Sequence, residues 1–399
     1  MKLLLALLAL LIAESTCYAS IDRPTVYFAG LSYAGSNGNI ESRFPFTRKF
    51  ELEQNSLANL PDGSKNPSKM VFGTLKETLL NAKPRNYDLS FDTPTINGND
   101  QVILLSLVIG NEITSIEPIG DIYKLFTQIR GQVLFFDIKA MRVLKSYPIS
   151  FAYLDVKKIL PTQDDINTNI KKIFLGAENK PGIFSRFASV AASAQFSQMN
   201  NAFLQVTDAN LDDSTRKFLP EKIRASGLAE EWLADMFGES ISKQLNIPIL
   251  PYKKNDTIGK MEVRLSDGAN YSLQIPPPDY LFKINLLSLK RITDKETDAA
   301  IGYVYGSVAN VVLNFPVMGK DYLNSKFKYG KPVVMPRSDM AIDDETSFSE
   351  SIQGLFDNIS LALNGNGPDW SKQNSLPAPN SLPIQNQISL SAEILKKCK

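Results

Sequence analysis

One pattern of elements runs through this chain twice, and it limits the fold more than any other feature. Repeats of this kind are sought first because missing one misreads the whole architecture. The opening strand Val26-Tyr-Phe-Ala-Gly-Leu-Ser has a counterpart in Ala202-Phe-Leu-Gln-Val-Thr. A helix with a Phe-Gly pair follows each, at Phe72-Gly73 and at Phe237-Gly238. Val71, Leu75 and Leu79 form the apolar stripe of the first; Leu233, Phe237, Ile241 and Leu245 form that of the second. Spacing of four gives a helix one face to bury against a sheet. Short strands at Tyr87-Asp-Leu-Ser-Phe and Tyr271-Ser-Leu-Gln-Ile come next, then Leu104-Leu-Ser-Leu and Leu286-Leu-Ser-Leu. The offsets are 184 and 182 residues for these two pairs and 165 for the Phe-Gly pairs.

Long alternating strands over Tyr123–Asp137 and Tyr303–Phe315 follow, with hairpin returns through Leu144–Leu154 and Tyr322–Tyr329. Alternation places Tyr123, Leu125, Ile129, Val133 and Phe135 on one face. Each copy closes with Asp-Asp and an apolar helix, at Asp164-Asp165 and Asp343-Asp344. The Asp, Ser and Thr residues there are N-cap candidates. The expected fold class is α+β: two tandem copies of a mixed-sheet unit with helices covering the sheet. The units are expected over residues 20–176 and 202–363. Residues 177–201, rich in Ala and Ser, read as a linker helix. Residues 364–399 read as a flexible tail, with an Asn/Pro/Ser/Gly stretch over Asn364–Pro383 and a short helix expected over Ile384–Lys399. Phe184, Phe187 and Phe196 in the linker and Trp370 in the tail are the candidate partner contacts.

Residues 1–19 have the form of a bacterial-type secretory signal: Lys2, an apolar run Leu3–Ala13, and small residues Cys17 and Ala19 before a cut after Ala19. An acylated Cys17 is the rival, opposed by Glu14, Ser15 and Thr16 before it. The run falls short of the ~20 apolar residues that span a bilayer. Beyond the signal only Cys398 remains, so the rest of the chain forms no internal disulfide. The formal net charge of +1 gives no argument from bulk charge for nucleic acid or an anionic membrane.

The chain has no His. That removes Ser-His-Asp and Cys–His catalysis and any imidazole-dependent zinc site. Three Asp-Asp pairs, at 164–165, 212–213 and 343–344, remain as acid–base candidates. Neighbouring side chains diverge, and two pairs precede helices, so capping is their expected role. Asn97-Gly-Asn-Asp100 lacks the ligand spacing of a calcium loop. The glycines at 30, 35 and 38 lack the pattern of a phosphate or dinucleotide loop. No catalytic residue, cofactor or metal ligand is assigned.

Gly131-Gln-Val-Leu-Phe-Phe-Asp-Ile-Lys-Ala-Met-Arg-Val-Leu, with the opening strands and the two Phe-Gly helices, carries a resemblance. The pattern resembles the periplasmic α/β domain of the curli secretion channel family, of the Tol-system B protein's N-terminal domain and of a flagellar basal-body ring protein. The second copy has Phe315-Pro-Val-Met-Gly where the first has its Asp-containing turn. The resemblance implies a non-enzymatic scaffold or assembly factor of a secretion, flagellar or related envelope machine. Its location would be periplasmic, with outer-membrane association as a variant. The expected partners are envelope proteins of a ring or secretion complex and no nucleic acid. Self-association and peripheral membrane attachment are left open. Two alternatives stand beside it: a carboxylate-dependent envelope hydrolase, and a binding module for a small ligand held between the units.

Overall fold

The computed structural model describes residues 23–35, 40–57, 70–95, 101–196, 202–253, 259–265, 268–337 and 342–399. The signal segment and the Asn97–Asp100 loop lie outside them. The first half contains β1 (Thr25–Ala34), α1 (Pro45–Leu57), α2 (Val71–Ala82), β2 (Asp88–Ser90), β3 (Ile103–Ile119), β4 (Ile122–Asp137), β5 (Arg142–Lys157), α3 (Gln163–Leu175) and α4 (Ile183–Ser193). The second contains β6 (Leu204–Leu211), α5 (Ala229–Leu245), β7 (Lys260–Leu265), β8 (Asn270–Gln274), β9 (Tyr280–Glu296), β10 (Ala300–Phe315) and β11 (Lys320–Pro336). It ends with α6 (Asp344–Leu363), α7 (Pro368–Asn374), β12 (Ser375–Pro377) and α8 (Ile384–Leu395).

Both halves are built on one sheet motif. An opening strand runs parallel to the first strand of an antiparallel three-stranded meander: β1 beside β3-β4-β5, and β6 beside β9-β10-β11. The copies also share their irregularities. Bulges fall at Ala29, Gly110 and Leu144 in the first sheet and at Thr207, Leu287 and Tyr322 in the second. Those offsets are 178, 177 and 178 residues. A bulge inserts one residue and re-aims the strand, so three in step fix the register of the repeat.

That register corrects two sequence matches. The Leu-Leu-Ser-Leu segments are five residues out of step. An odd slip moves side chains to the opposite face: Leu104 points away from the helices of its sheet, whereas Leu286 lies in the core beneath them. The Tyr87 and Tyr271 strands are not counterparts either. β2 lies parallel to the start of β1, whereas β8 pairs with β7 and touches β5 at Arg142–Gln274.

The β7–β8 hairpin crosses from the second half onto the first sheet. β7 pairs antiparallel with β1, so β1-β3-β4-β5-β8-β7 closes into a ring. Inside it Leu104, Val108, Leu134, Phe136 and Val143 pack against Met261, Val263, Leu265 and Leu273. The other face of the first sheet packs under α1–α4, and the second sheet packs under α5, α6 and α8. We call the face away from the helices the far face. In the first sheet the ring closes over one end of it, while Leu154 and Val156 at the other end remain 46% and 53% exposed.

Two expectations about the connecting segments are corrected. Residues 183–193 form a core helix of the first unit. Phe184 and Phe187 are buried there, with Phe184 against Phe174 and Phe50, and Phe187 against Phe28. Their side chains are thus unavailable as partner contacts. Phe196 is half-buried, edge-on to Tyr87 and Phe135. The C-terminal stretch is ordered. Trp370 stacks on Phe327 with ring centroids 6.1 Å apart, and β12 pairs with β11 over Ser325–Phe327. Ile384, Ile388, Ile394 and Leu395 of α8 enter the second core. Gln387 accepts from the Asn324 backbone N–H at 2.7 Å. Loop composition marks residues 364–383, but the short helix expected over Ile384–Lys399 is α8, and its spaced apolar residues supply the burial that docks the whole stretch.

Two helix starts, those of α3 and α6, follow from capping chemistry. Thr162 caps α3, accepting from the Asp165 N–H, while Asp165 reaches back to the Thr162 N–H: a capping box. Asp343 caps α6 by accepting from the Thr346 N–H at 3.1 Å. No helix among the described residues is long and apolar enough to cross a membrane.

Candidate functional site

The two units meet on the far face of the first sheet, beyond the ring. Period-two alternation sends Arg130, Gln128, Phe126 and Lys124 of β4 and Ser150, Ala152 and Leu154 of β5 to that side. Helices α5 and α6 of the second unit lie against them. Arg130 Nη1 donates to the Trp232 carbonyl at 3.2 Å, and its guanidinium stands 5.9 Å from the Trp232 ring. Glu239 accepts from the Ser150 N–H at 2.9 Å and its hydroxyl at 2.6 Å.

Lys124 anchors the other end. Its Nζ lies 2.5 Å from Glu117 and 2.8 Å from Asp343, and it donates to Thr346 Oγ1 at 3.0 Å. Burial alone would lift the Asp343 carboxyl. The hydrogen bonds from Lys124 and Thr346 outweigh it and hold the group below the ordinary carboxylate value. Asp343 thus both caps α6 and ties it to the first unit.

Two of the cavities among the described residues open in this seam. The smaller, about 170 Å³, is lined by Arg43, Arg130, Gln132, Glu231, Asp235 and Glu239, among others. Glu231, Asp235 and Glu239 sit at spacing four on α5, so one helix face presents three carboxylates. Burial, with Glu231 and Glu239 nearby, raises the Asp235 carboxyl to about 7, although Arg130 pulls it down. The group is poised to trade a proton near neutrality. The cavity nevertheless falls below the ~300 Å³ at which small-molecule pockets begin, and Glu239 is engaged by Ser150. Neither property suits a polymer-cleaving cleft. The sequence reading missed these carboxylates because it weighed adjacent acidic pairs. The signal was the i, i+4, i+8 spacing on a predicted helix.

The larger cavity, about 380 Å³, has walls of Ile113, Phe126, Ala152, Leu154, Trp232 and Met236. Lys124 and Ser349 also line it, and the Ser349 hydroxyl is buried without a hydrogen-bond partner. A mostly apolar enclosure with a few polar groups is the usual form of a small-molecule site.

Other groups singled out by sequence take structural places. Asp164 and Asp165 lie in the first turn of α3, and Lys157 bonds Asp165 at 2.6 Å. Asp344 receives Arg291 at 2.7 Å and the Tyr305 hydroxyl at 2.6 Å. Cys398 is buried, which pushes its thiol up to about 12 and keeps it protonated at neutral pH. Lys145 is also buried, which lowers its amine to about 8, with Nζ 5.9 Å from the Phe196 ring. No group of three or more metal-ligating side chains occurs among the described residues. No protein-family model matches this chain, and no curated protein matches it.

Proposed function

We propose that the chain is an exported, periplasmic scaffold or assembly factor of a cell-envelope machine, working by protein–protein docking and not by catalysis. The observation that carries the reading is the free ribbon of the second sheet. β6 pairs with β9 only as far as Leu286, and β12 pairs with β11 only over Ser325–Phe327. Beyond those points β9 and β11 flank β10 with no further strand beside them among the described residues. Ile292 and Val334 are 59% and 74% exposed there. Unpaired strand edges accept a partner strand through backbone hydrogen bonds, with side-chain pockets adding specificity. In the first sheet the far face of the equivalent ribbon is partly covered by α5 and α6. The scaffold therefore uses one copy to hold itself together and offers the other outward. The resemblance to periplasmic docking domains supports the same reading.

The test is capture of a C-terminally tagged full-length chain from crosslinked envelopes, beside the variant Ile292→Lys/Val334→Lys. Charges at these positions block strand addition without touching either core. Recovery of components of one envelope machine by the parent, and their loss from the variant, is the expected result. Identical recovery from both would sink the ribbon as the docking element.

A second reading rests on the 380 Å³ cavity: a small apolar ligand bound between the units. Saturable binding of a neutral naphthylamine fluorophore, abolished by Ala152→Trp, would favour it. Binding that Ala152→Trp leaves unchanged would remove it.

A further inference from the structure

The far face of the second sheet carries unpaired lysines, whereas the charged far-face residues of the first, Lys124 and Arg130, are bonded to the second unit. Side chains at alternate positions point away from the helices, as the buried Tyr305, Ser307, Ala309 and Val311 on the other side require. The strand pairing then places Lys283, Lys290 and Lys295 of β9 and Lys326 and Lys328 of β11 on the far face. A half-buried stripe, Val304, Val308 and Val312, runs between them. Only Lys283 has an acidic partner within 4 Å among the described residues, Asp208 at 3.6 Å. Asp321, the nearest other acid along β11, is held by the amides of Asn314 and Asn324 at 2.7 and 3.0 Å.

One end of this face carries an apolar tip. The β10–β11 turn exposes Val317 and Met318, at 85% and 69%, with Lys320 directly after them. In the first sheet the same turn is closed by Asp137, which accepts from the Lys139 and Ala140 N–H groups, and its Ile138 and Met141 pack on the ring core. Lysines 396, 397 and 399 are exposed at the same end of the second sheet. The Ala202 N–H donates to the Lys397 carbonyl, β6 aligns Leu204 with Tyr280, and the Tyr280 ring stands 5.2 Å from Phe315 at the tip.

The geometry points to a peripheral membrane contact: the sheet lies with its far face along a bilayer of anionic lipid, the Val317-Met318 tip inserts at one end, and the lysines of that face meet the headgroups. An exposed apolar tip at the end of a basic face matches the two layers of such a surface. The apolar part gains by leaving water, and the lysines are attracted to negative headgroups. A buried protein interface fits less well. At the repeat offset Lys290, Lys326 and Lys328 correspond to Ile113, Pro148 and Ser150, which line the seam of the first unit. Burying three unpaired lysines in such a seam is costly. At a bilayer their stems can lie flat with the amines in the headgroup layer.

The test is vesicle co-sedimentation of the chain from Ser20 onward, which keeps every described element and omits the apolar leader. Vesicles of phosphatidylcholine alone are compared with vesicles containing phosphatidylglycerol. Partition onto the anionic vesicles only, weakening as salt screens the headgroups, is the supporting result. Val317→Asp/Met318→Asp and, separately, Lys326→Glu/Lys328→Glu should each lower the bound fraction about tenfold. All four positions are exposed, so the melting temperature serves as the folding control. Three results overturn the proposal: no anionic preference, both variants binding like the parent, or equally tight binding to inorganic polyphosphate that the tip variant leaves unchanged. The last would assign the face to a soluble polyanion.

Discussion

The two sheets share strand order, direction and three bulges, yet they differ in what lies on their far faces. In the first, Leu134, Phe136 and Val143 face the β7–β8 hairpin, and Phe126, Ala152 and Leu154 face α5 and α6. In the second, the positions matching Leu134, Phe136 and Leu154 hold Val312 and Asn314, both half-buried, and Pro332, which is exposed. A sheet buried on both sides needs apolar residues at every position, whereas one buried on a single side needs them at alternate positions. The copies thus show one backbone serving as a covered layer or as a presenting surface, according to its far-face residues and the elements laid over them.

Exchanging side-chain size at equivalent positions gives the largest expected contrast. Phe136→Ala empties the centre of the ring and should cost about 3–5 kcal/mol. Asn314→Ala, at the matching site, should change stability by less than ~1 kcal/mol. Paired urea denaturation curves on the two variants measure this directly. Equal losses would mean that the second far face is covered in solution and that the contrast between the sheets is false.

Next in size is the tie between the units. Lys124→Ala leaves Glu117 and Asp343 facing a partly buried site without their cation, and should cost about 3 kcal/mol. The cost should fall at acid pH. The Asp343 carboxyl is held below its ordinary value in the folded state, so its contribution is present above that value and fades as pH drops. Stability measured for parent and variant at neutral and acid pH should converge on the acid side.

How much of this was legible depends on the kind of signal. Alternation and apolar stripes carried the fold class, both long hairpins and the closing helices, because period two and spacing four reflect which face is buried. Register was misplaced because Leu-Leu-Ser-Leu is a common strand sequence, and identity of four residues says nothing about which face they occupy. The crossing of β7–β8 onto the first sheet was invisible, since Met261, Val263 and Leu265 alternate as they would in either sheet. Phe184 and Phe187 looked like spare aromatics only while residues 183–193 were taken for a linker; their spacing belongs to a buried helix stripe. The Asp235 cavity was missed because Arg130 and Asp235 come from different units, and only their packing brings them to one cavity.

Asp235 supplies a third, smaller effect. Burial raises its folded-state value to about 7, above the ordinary ~4 of the unfolded chain. The folded state therefore binds its proton more tightly, and stability falls as pH rises through that window. The full shift would be worth ~4 kcal/mol; Asp235 is only half-buried by surface area, and screening by water about halves it, so Asp235→Asn should stabilise the protein by ~2 kcal/mol at pH 8, with little effect at pH 4. Melting temperatures of parent and variant across that range test it, and parallel profiles would place Asp235 in contact with bulk water.

The smallest expected effect is the most informative about the second sheet. Lys326→Ser/Lys328→Ser replaces two exposed far-face lysines without altering the alternate core positions, Ser325 and Phe327. If this face only presents charge, the pair should change stability by no more than ~0.5 kcal/mol. At the matching positions of the first sheet, Pro148→Lys/Ser150→Lys pushes two amines into the seam and removes the hydroxyl that Glu239 accepts from. That pair should be strongly destabilising, because a buried charge without a partner is among the costliest changes a seam can suffer. Tolerance on one far face and collapse on the other would show that the repeat conserved the sheet and assigned the two far faces opposite tasks. Tolerance on both would mean that the units come apart readily, and that the seam is not what binds the two halves together.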